Sequence, residues 1–155
     1  MNQLKVTGPL RRVIIIRRDI KLRIETILKD YPDMDNYIKK RKEEIMVPHR
    51  EIDENVGGGK SSKISKPQET MMVTLDADRR LNMLEREKKA VEKCFFESNF
   101  ETQMIIKELY FKKYRTYTLE GLNYNHVVSL SVRTIKRLKS EFLNNLANEL
   151  EIYEP

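Results

Sequence analysis

Apolar residues recur along the first part of the chain at intervals of three and four, the spacing of an amphipathic α-helix. The first apolar stripe lies in residues 10–31, although the β-branched run Val13–Ile16 also permits a short strand. Pro32 then predicts a turn and disfavours a helical backbone at Tyr31. A second stripe runs from Met34 to Pro48. The apolar positions are Val13, Ile16, Ile20, Ile24, Ile27 and Tyr31, then Met34, Tyr37, Ile38 and Ile45.

Two further helices are predicted over residues 70–98 and 101–114, with a break at Ser98-Asn99. The first has one apolar face among alternating charges, on which Cys94 is a small core residue. The second is so rich in apolar and aromatic side chains that we expect them in the core rather than stacked on bases. The apolar positions are Leu81, Leu84, Val91, Cys94 and Phe95, then Ile105, Ile106, Leu109, Tyr110 and Phe111.

Residues 49–69 differ from their surroundings in composition. They contain three consecutive glycines, three serines, one proline and no aromatic residue, which predicts a flexible linker. Their GGGKSS run is not a phosphate-binding loop, because that loop requires a glycine five residues before Gly59, where Glu54 stands. The linker therefore divides the chain into an N-terminal helical region at residues 1–48 and a C-terminal domain at residues 70–155.

Thr118 to Leu150 is the segment that carries most information about function. Thr118 can cap a first helix with Leu119, Leu122 and Val127 or Val128 on its apolar side. A short turn at Ser129-Leu130-Ser131, with Leu130 as its buried anchor, follows, and Ser131 can cap a second helix. The buried face of that second helix is predicted to be Ile135, Leu138, Phe142, Leu146 and Leu150, at intervals of three, four, four and four.

The opposite side of that second helix is basic over its first two turns. A helix fits the major groove of DNA, and its N-terminal turns are the part that reaches base edges. Arginine suits guanine or phosphate, and hydroxyl groups donate to phosphate oxygens. We therefore predict a helix-turn-helix, with two ordinary packed helices and a solvated charged face as the alternative. The predicted DNA-binding residues are Ser131, Val132, Arg133, Thr134, Lys136, Arg137 and Ser140.

Charge and composition agree with a nucleic-acid partner and exclude several other classes. The net charge is +6, and residues 1–50 alone hold 13 basic and 7 acidic side chains. A single cysteine excludes an internal disulfide, and lone His126, expected at the end of the first helix, does not suggest a metal site. Neither a metal cluster, a phosphate cradle nor a nucleophile paired with histidine is visible, so we expect no enzyme and no cofactor. No apolar run could cross a membrane, and we expect a cytoplasmic protein.

The run SLSVRTIKRLKSEFLNNLANEL resembles the recognition helix of proteins related to region 4 of bacterial sigma factors. Roughly residues 27–150 resemble the RinA-type phage transcriptional regulators, to which ArpU-type regulators are similar. That resemblance implies DNA-binding activators of late phage genes, those for packaging and morphogenesis. The sequence departs from the sigma-like pattern in two ways: it has about two extra residues between Thr118 and Leu130, and Gly121 lies within the first helix. The matching segments are Asp30–Pro32, Glu44–Pro48, Asp53–Gly59, Glu69–Thr74 and Ile105–Phe111.

The expected fold is thus all-α, with N-terminal helices, a flexible linker and a C-terminal domain containing a sigma region 4-like helix-turn-helix. Expected partners are double-stranded promoter DNA, host RNA polymerase and a second copy bound through the N-terminal helix, with no membrane. The stripe from Val13 to Ile27 could equally pack within one chain. Two other functions remain open, a small terminase-like DNA-packaging subunit and a polymerase-binding module without DNA contact. Ring assembly would favour packaging, whereas binding that is indifferent to Arg133 and Arg137 would favour the module.

Overall fold

A computed structural model of the chain describes residues 16–47, 72 and 74–152, and all regular secondary structure in this part is helical. The all-α class is therefore confirmed. A 3-10 turn, Tyr31–Asp33, joins α1 to α2, and a π helix, Lys107–Phe111, extends α4. Residues 74–77 are also helical, and the predicted linker at residues 49–69 lies outside the described residues. The helices are α1 (Arg18–Asp30), α2 (Met34–Met46), α3 (Arg79–Glu97), α4 (Phe100–Ile106), α5 (Leu119–Tyr124) and α6 (Val132–Glu149).

The boundary between α1 and α2 differs from the prediction at one residue. Tyr31 has helical dihedral angles, φ −51° and ψ −43°, despite preceding a proline. Pro32 lies in the first turn of the 3-10 segment, where its missing N–H leaves no hydrogen bond unmade. The Tyr31 ring packs on Phe111 with centroids 4.7 Å apart. Tertiary packing thus outweighs the local preference of a residue before proline, and the prediction for Tyr31 was wrong.

The predicted break between the third and fourth helices is confirmed, but the fourth helix ends earlier than expected. Asn99 caps α4 by accepting a hydrogen bond from the Thr102 N–H at 3.0 Å. The last turn is a π helix that buries Leu109 and Tyr110. Lys112 is already extended, with φ −88° and ψ 130°, so the helix does not reach residue 114. The sequence pattern could not show this, because the polar residues after Phe111 fit a helix surface equally well.

The N-terminal stripe packs inside its own chain. Ile24 and Leu28 of α1 are fully buried and belong to the same core cluster as Val91, Ile105 and Phe142. For the described part of the stripe, this favours packing within one chain over binding of a second copy. Val13 and the alternative strand at residues 13–15 lie outside the described residues. The division of the chain at the linker stays a prediction, but described residues on both sides of it share this core. Cys94 is buried with it, as predicted.

Ion pairs connect α2 to α3 and to the residue that caps α3. The Arg41 guanidinium donates to both carboxylate oxygens of Asp78, at 3.2 and 2.6 Å. Asp78 also accepts from the Leu81 N–H at 2.7 Å and so caps α3. The hydrogen bonds from Arg41 and from the Leu81 N–H hold the pKa of Asp78 below its usual value, the larger effect coming from Arg41. The bidentate geometry fixes the start of α3 relative to α2.

Candidate nucleic-acid interface

The first helix of the predicted helix-turn-helix forms where expected, but it is short. Thr118 caps α5 by accepting a hydrogen bond from the Gly121 N–H at 3.0 Å. The helix ends at Tyr124 after six residues, so residues 125–131 all belong to the connection to α6. The prediction of a turn confined to residues 129–131 was therefore wrong. Leu122, the central apolar residue of α5, is fully buried as predicted.

Local hydrogen bonds explain why α5 ends early and how the long connection is held. His126 adopts a left-handed backbone conformation with φ 54°, which a continuing right-handed helix does not allow. The Asn125 side chain donates to the carbonyl oxygen of Gly121 at 2.8 Å. Beyond it, the Asn123 side chain donates to the Leu130 carbonyl at 2.8 Å. Hydrogen bonds from side-chain amides thus stabilise the connection, and its buried residue Val128 packs in the core.

Ser131 caps the second helix, as predicted. Its Oγ accepts a hydrogen bond from the Thr134 N–H at 3.2 Å, and the two hydroxyl oxygens lie 2.9 Å apart. The predicted buried face is confirmed at Ile135, Phe142, Leu146 and Leu150, while Leu138 is partly buried against the core. The cap satisfies an N–H that would otherwise lack a partner and so fixes the first residue of α6.

The outward face of the first two turns of α6 is open to solvent. Within the described ranges, Arg133 and Arg137 have neither an ion-pair nor a hydrogen-bond partner. These two guanidinium groups are therefore available to an external acceptor. Of the seven predicted DNA-binding residues, Val132 and Thr134 are partly buried, and the exposed ones are Ser131, Arg133, Lys136, Arg137 and Ser140.

Lys136 shares this face but has a partner on α5. Its Nζ lies 3.3 Å from the Glu120 carboxylate, and both side chains are well exposed. The pKa of Glu120 is lowered first by its own backbone N–H and then by Lys136. An ion pair in full solvent is weak and screened by salt. Lys136 can therefore exchange Glu120 for a phosphate at little cost.

Lys139 belongs to the same basic cluster in the sequence but turns inward. Its Nζ lies 2.9 Å from Glu25 of α1 and 5.4 Å from the centroid of the Tyr110 ring. The Tyr110 hydroxyl donates to the same carboxylate at 2.8 Å. Burial alone would raise the pKa of Glu25, but hydrogen bonds from Lys139 and Tyr110 outweigh it and lower that pKa. Burial, together with the bond to Glu25, raises the pKa of Tyr110.

The C-terminal part of α6 is tied to α3. The Arg86 guanidinium donates to the Leu150 carbonyl at 3.1 Å and to the Glu151 carboxylate at 2.9 Å. Lys93 pairs with Glu149 at 2.7 Å. Together with the Glu25 contact, these bonds hold the middle and the end of the helix. The first two turns of α6 are consequently presented from a fixed base.

One basic segment was missed by sequence reasoning, which placed it at the end of a helix. Residues 112–117, KKYRTY, form an irregular loop between the π helix and α5. Tyr114 is 80% exposed, and Lys113 and Arg115 beside it are exposed as well. The signal that could have identified it is the interleaving of cations with aromatic residues, a composition common in nucleic-acid contacts.

Metal-binding and membrane-spanning features are both absent from the described residues. Histidine, cysteine, aspartate and glutamate side chains nowhere gather in a group of three that could hold a metal ion within residues 16–47, 72 and 74–152. In the same ranges, none of the helices has the length and apolar character required to span a bilayer.

Comparison with known proteins gives two matches that cover most of the chain. A family model described as "Protein of unknown function (DUF722)" matches residues 21–148. The transcriptional activator RinA of Staphylococcus phage phi11 is 31% identical over 129 residues, which is 83% of this chain and 88% of that protein. No solved structure matches the chain. The matched region includes α1 through most of α6, and therefore both the core and the exposed basic face.

Proposed function

This chain belongs to the DUF722 family and is homologous to a phage transcriptional activator, and from that premise we propose that it is a sequence-specific DNA-binding activator of transcription. The homology supports a regulatory role, and the relative is an activator rather than an enzyme, in agreement with the expectation of no catalytic activity. We further propose that its targets are late phage genes for packaging and morphogenesis. The family resemblance in the sequence supports that choice of targets.

The observation that supports DNA binding best is the state of Arg133 and Arg137. Both lie on the outer face of a helix whose start is capped by Ser131 and whose core side is fixed by buried Phe142. Both are exposed and without an ion-pair partner in the described part of the chain. Two unpaired guanidinium groups one helical turn apart suit contacts with adjacent acceptors along a groove.

In the proposed complex the first two turns of α6 enter the major groove. Arg133 and Arg137 contact guanine edges or phosphates, and Lys136 leaves Glu120 for a phosphate. The N-terminal N–H groups and hydroxyls of the capped end contribute further phosphate contacts. The connection between α5 and α6 is longer than the sigma region 4 pattern predicts. The resemblance of the α6 sequence to a sigma region 4 recognition helix stays part of the proposal. The remaining proposed contacts are Ser131, Val132, Thr134 and Ser140.

Activation also requires a contact with host RNA polymerase. Helix α2 packs on α3, and on its solvent side Lys39, Lys40 and Glu43 are exposed. We propose α2 or the basic N-terminal segment as the region that meets the polymerase.

The test is footprinting of the purified protein on the DNA around its own gene and the downstream operon, at two salt concentrations. A protected site that survives the higher salt indicates specific readout, because non-specific phosphate contacts weaken uniformly with salt. Replacing Arg133 and Arg137 by alanine is expected to weaken binding by about 1–3 kcal/mol for each arginine that touches a base. A promoter–reporter assay of the same variant is expected to lose activation.

The matched control is Arg79→Ala together with Arg80→Ala, which removes two exposed arginines at the start of α3. It lowers the net charge equally but leaves α6 intact, so site protection should persist. Unchanged protection and activation in the Arg133 and Arg137 variant would contradict DNA readout by α6. That outcome would place the DNA contact on another surface, whereas activation by a wild-type protein that protects no site would favour a module that binds polymerase without touching DNA.

A further inference from the structure

A second basic surface lies beside the helix-turn-helix, in a cleft between α1 and the π helix. Its volume is about 470 Å³, and Leu109 and Tyr110 line it together with charged side chains. Glu25 and Asp33 are the acidic groups in its wall. The cationic groups are more numerous and come from α1, the loop after the π helix and α6: Lys29, Lys112, Lys113, Arg115 and Lys139.

Two of these five cations are already neutralised within the molecule. Lys139 pairs with Glu25, and Lys112 pairs with nearly buried Glu108 at 2.6 Å. Lys29, Lys113 and Arg115 have no ion-pair partner among the residues that the structure describes. Since Asp33 is the remaining acid in the wall, the cleft retains an excess of positive charge.

The loop that carries two of these cations is held in place by its own contacts. The Arg115 Nε donates to the Tyr117 carbonyl at 2.8 Å. Lys112 lies 6.0 Å from the centroid of the Tyr117 ring, and Lys113 lies 5.9 Å from that of Tyr114. The bond to Tyr117 uses only the Nε of Arg115, so the two terminal nitrogens of its guanidinium can still donate to an anion.

We propose that this cleft and loop bind the sugar–phosphate backbone of the DNA duplex beside the segment that α6 reads, with Lys29, Lys113 and Arg115 neutralising phosphates. The inference rests on the proposed function. The ligand is expected to be a repeating polyanion rather than a small anion, because the cations are distributed along a cleft and an exposed loop. Moreover, none of the buried side-chain nitrogen or oxygen atoms in the described ranges lacks a hydrogen-bond partner, so no buried donor is set aside for a small anion.

Two links along the chain place the cleft near the proposed reading face, which is the outward side of the first two turns of α6. Lys139 lines the cleft and lies one helical turn after Lys136 on α6, about 4.5 Å along the axis. On the other side, Arg115 is bonded to Tyr117, and Thr118 directly after it caps α5. A duplex held by α6 would therefore pass close to the loop, where backbone contacts add affinity without reading sequence.

The test measures binding of the full chain to a short mixed-sequence duplex over a series of salt concentrations. Phosphate contacts release counterions, so removing one of them reduces the slope of log K against log salt by about 1. The variant Lys113→Ala with Arg115→Ala is expected to reduce the slope by about 2, and adding Lys29→Ala by about 1 more. Charge reversal at both loop positions, Lys113→Glu with Arg115→Glu, should weaken binding further.

The control is Arg80→Ala with Lys89→Ala, an exposed arginine and an exposed lysine on α3. It removes the same charge and should leave the slope close to that of the wild type. A loop variant that keeps the wild-type slope, or whose slope falls no more than that of this control, overturns the inference. Thermal melting followed by circular dichroism checks that each variant is folded.

Parallel measurements on the Arg133→Ala, Arg137→Ala variant separate this inference from the proposed function. That variant should lose its preference for the footprinted site over the mixed-sequence duplex. The affinity of the loop variant should instead decrease equally for both DNAs. If the Arg133→Ala, Arg137→Ala variant loses its preference while the loop variant keeps the wild-type salt slope, DNA contact by the cleft is refuted and the proposed function stands. A wild-type protein without salt-dependent affinity for duplex DNA refutes the proposed function, and the cleft with it.

Discussion

The two halves of α6 have the same local structure but opposite relations to the rest of the molecule. The C-terminal half buries Phe142 and Leu146 and is bonded through its end to Arg86 and Lys93 of α3. The N-terminal half has exposed Arg133, whose guanidinium meets no described partner. The C-terminal half therefore contributes to the free energy of folding on all of these sides, whereas the N-terminal half buries Ile135 but leaves its outward cations available for binding.

Lys139 shows that the boundary between these halves is not set by residue type. It lies two residues after Arg137 in the same basic run, yet only Arg137 is exposed to solvent, because Glu25 of α1 holds Lys139 at 2.9 Å. Charge density along the sequence is thus a poor guide to which cations remain exposed. This difference predicts that substitutions in the two halves will separate stability from DNA affinity.

The largest effect is expected from Phe142→Ala. Phe142 is 1% exposed in the core, and truncating a buried phenylalanine costs about 3–5 kcal/mol of unfolding free energy. Urea denaturation measures the decrease, with Phe142→Leu as a milder control. The Arg133→Ala, Arg137→Ala variant should instead stay within about 0.5 kcal/mol of the wild type, as exposed substitutions usually do. Similar stabilities for these two variants would contradict the division of α6.

A smaller decrease in stability is expected from Lys139→Met, which keeps the aliphatic stem but removes the charge. Glu25 would remain partly buried with only the Tyr110 hydroxyl, at a cost of about 1–2 kcal/mol near neutral pH. Lys136→Met is the matched control, because it removes an exposed lysine one turn earlier on the same helix. Equal stability of these two variants would show that Lys139 is not structurally distinct from the outer cations.

The same pair gives a pH dependence of defined sign. Because Glu25 has a folded pKa below its ordinary value of 4.5, its pairing stabilises the protein above that pH and is lost as pH falls through the folded pKa. The stability difference between wild type and Lys139→Met should therefore narrow below about pH 4.5. Denaturation curves at several acidic pH values measure this difference, and a constant difference would contradict the assignment.

Ser131→Ala removes the cap of α6, which lies beside the proposed reading face, and is expected to cost about 1 kcal/mol of stability. Ser131→Asp should restore the cap while placing a negative charge beside the proposed phosphates. The aspartate variant should therefore be about as stable as the wild type but bind DNA more weakly. Ser140→Ala, an exposed serine outside the cap, should leave stability unchanged. Equal DNA binding by the aspartate variant would place Ser131 away from the duplex.

The smallest effect is expected from Glu120→Gln. Removing this carboxylate releases Lys136 from its exposed ion pair and takes a negative charge away from the reading face. DNA affinity should rise modestly at low salt and return to the wild-type value at high salt, where both effects are screened. Fluorescence anisotropy at two salt concentrations tests this, with Glu101→Gln on α4 as an exposed control. A decrease in affinity would mean that the pair is needed to orient α5.

Local sequence signals predicted most of the helices and the N-terminal caps of α5 and α6. Thr118 and Ser131 accept backbone hydrogen bonds where expected, because capping depends on residues only three positions apart. The end of α5 was not predictable in the same way. It depends on the left-handed conformation of His126 and on amide side chains that bond across the connection, which periodicity does not report.

The helical class and the apolar face of α6 follow from the residue pattern, since a period of 3.6 residues places side chains on faces without reference to other elements. Which cations remain exposed, and what each face packs against, depends on contacts between distant parts of the chain. Glu25 and Lys139 form an ion pair although they are far apart in the chain. The sequence shows that residues 112–117 are basic but not that they form an exposed loop. The roles of these residues depend on how α1 packs against both α6 and the π helix, a long-range arrangement that no local pattern contains.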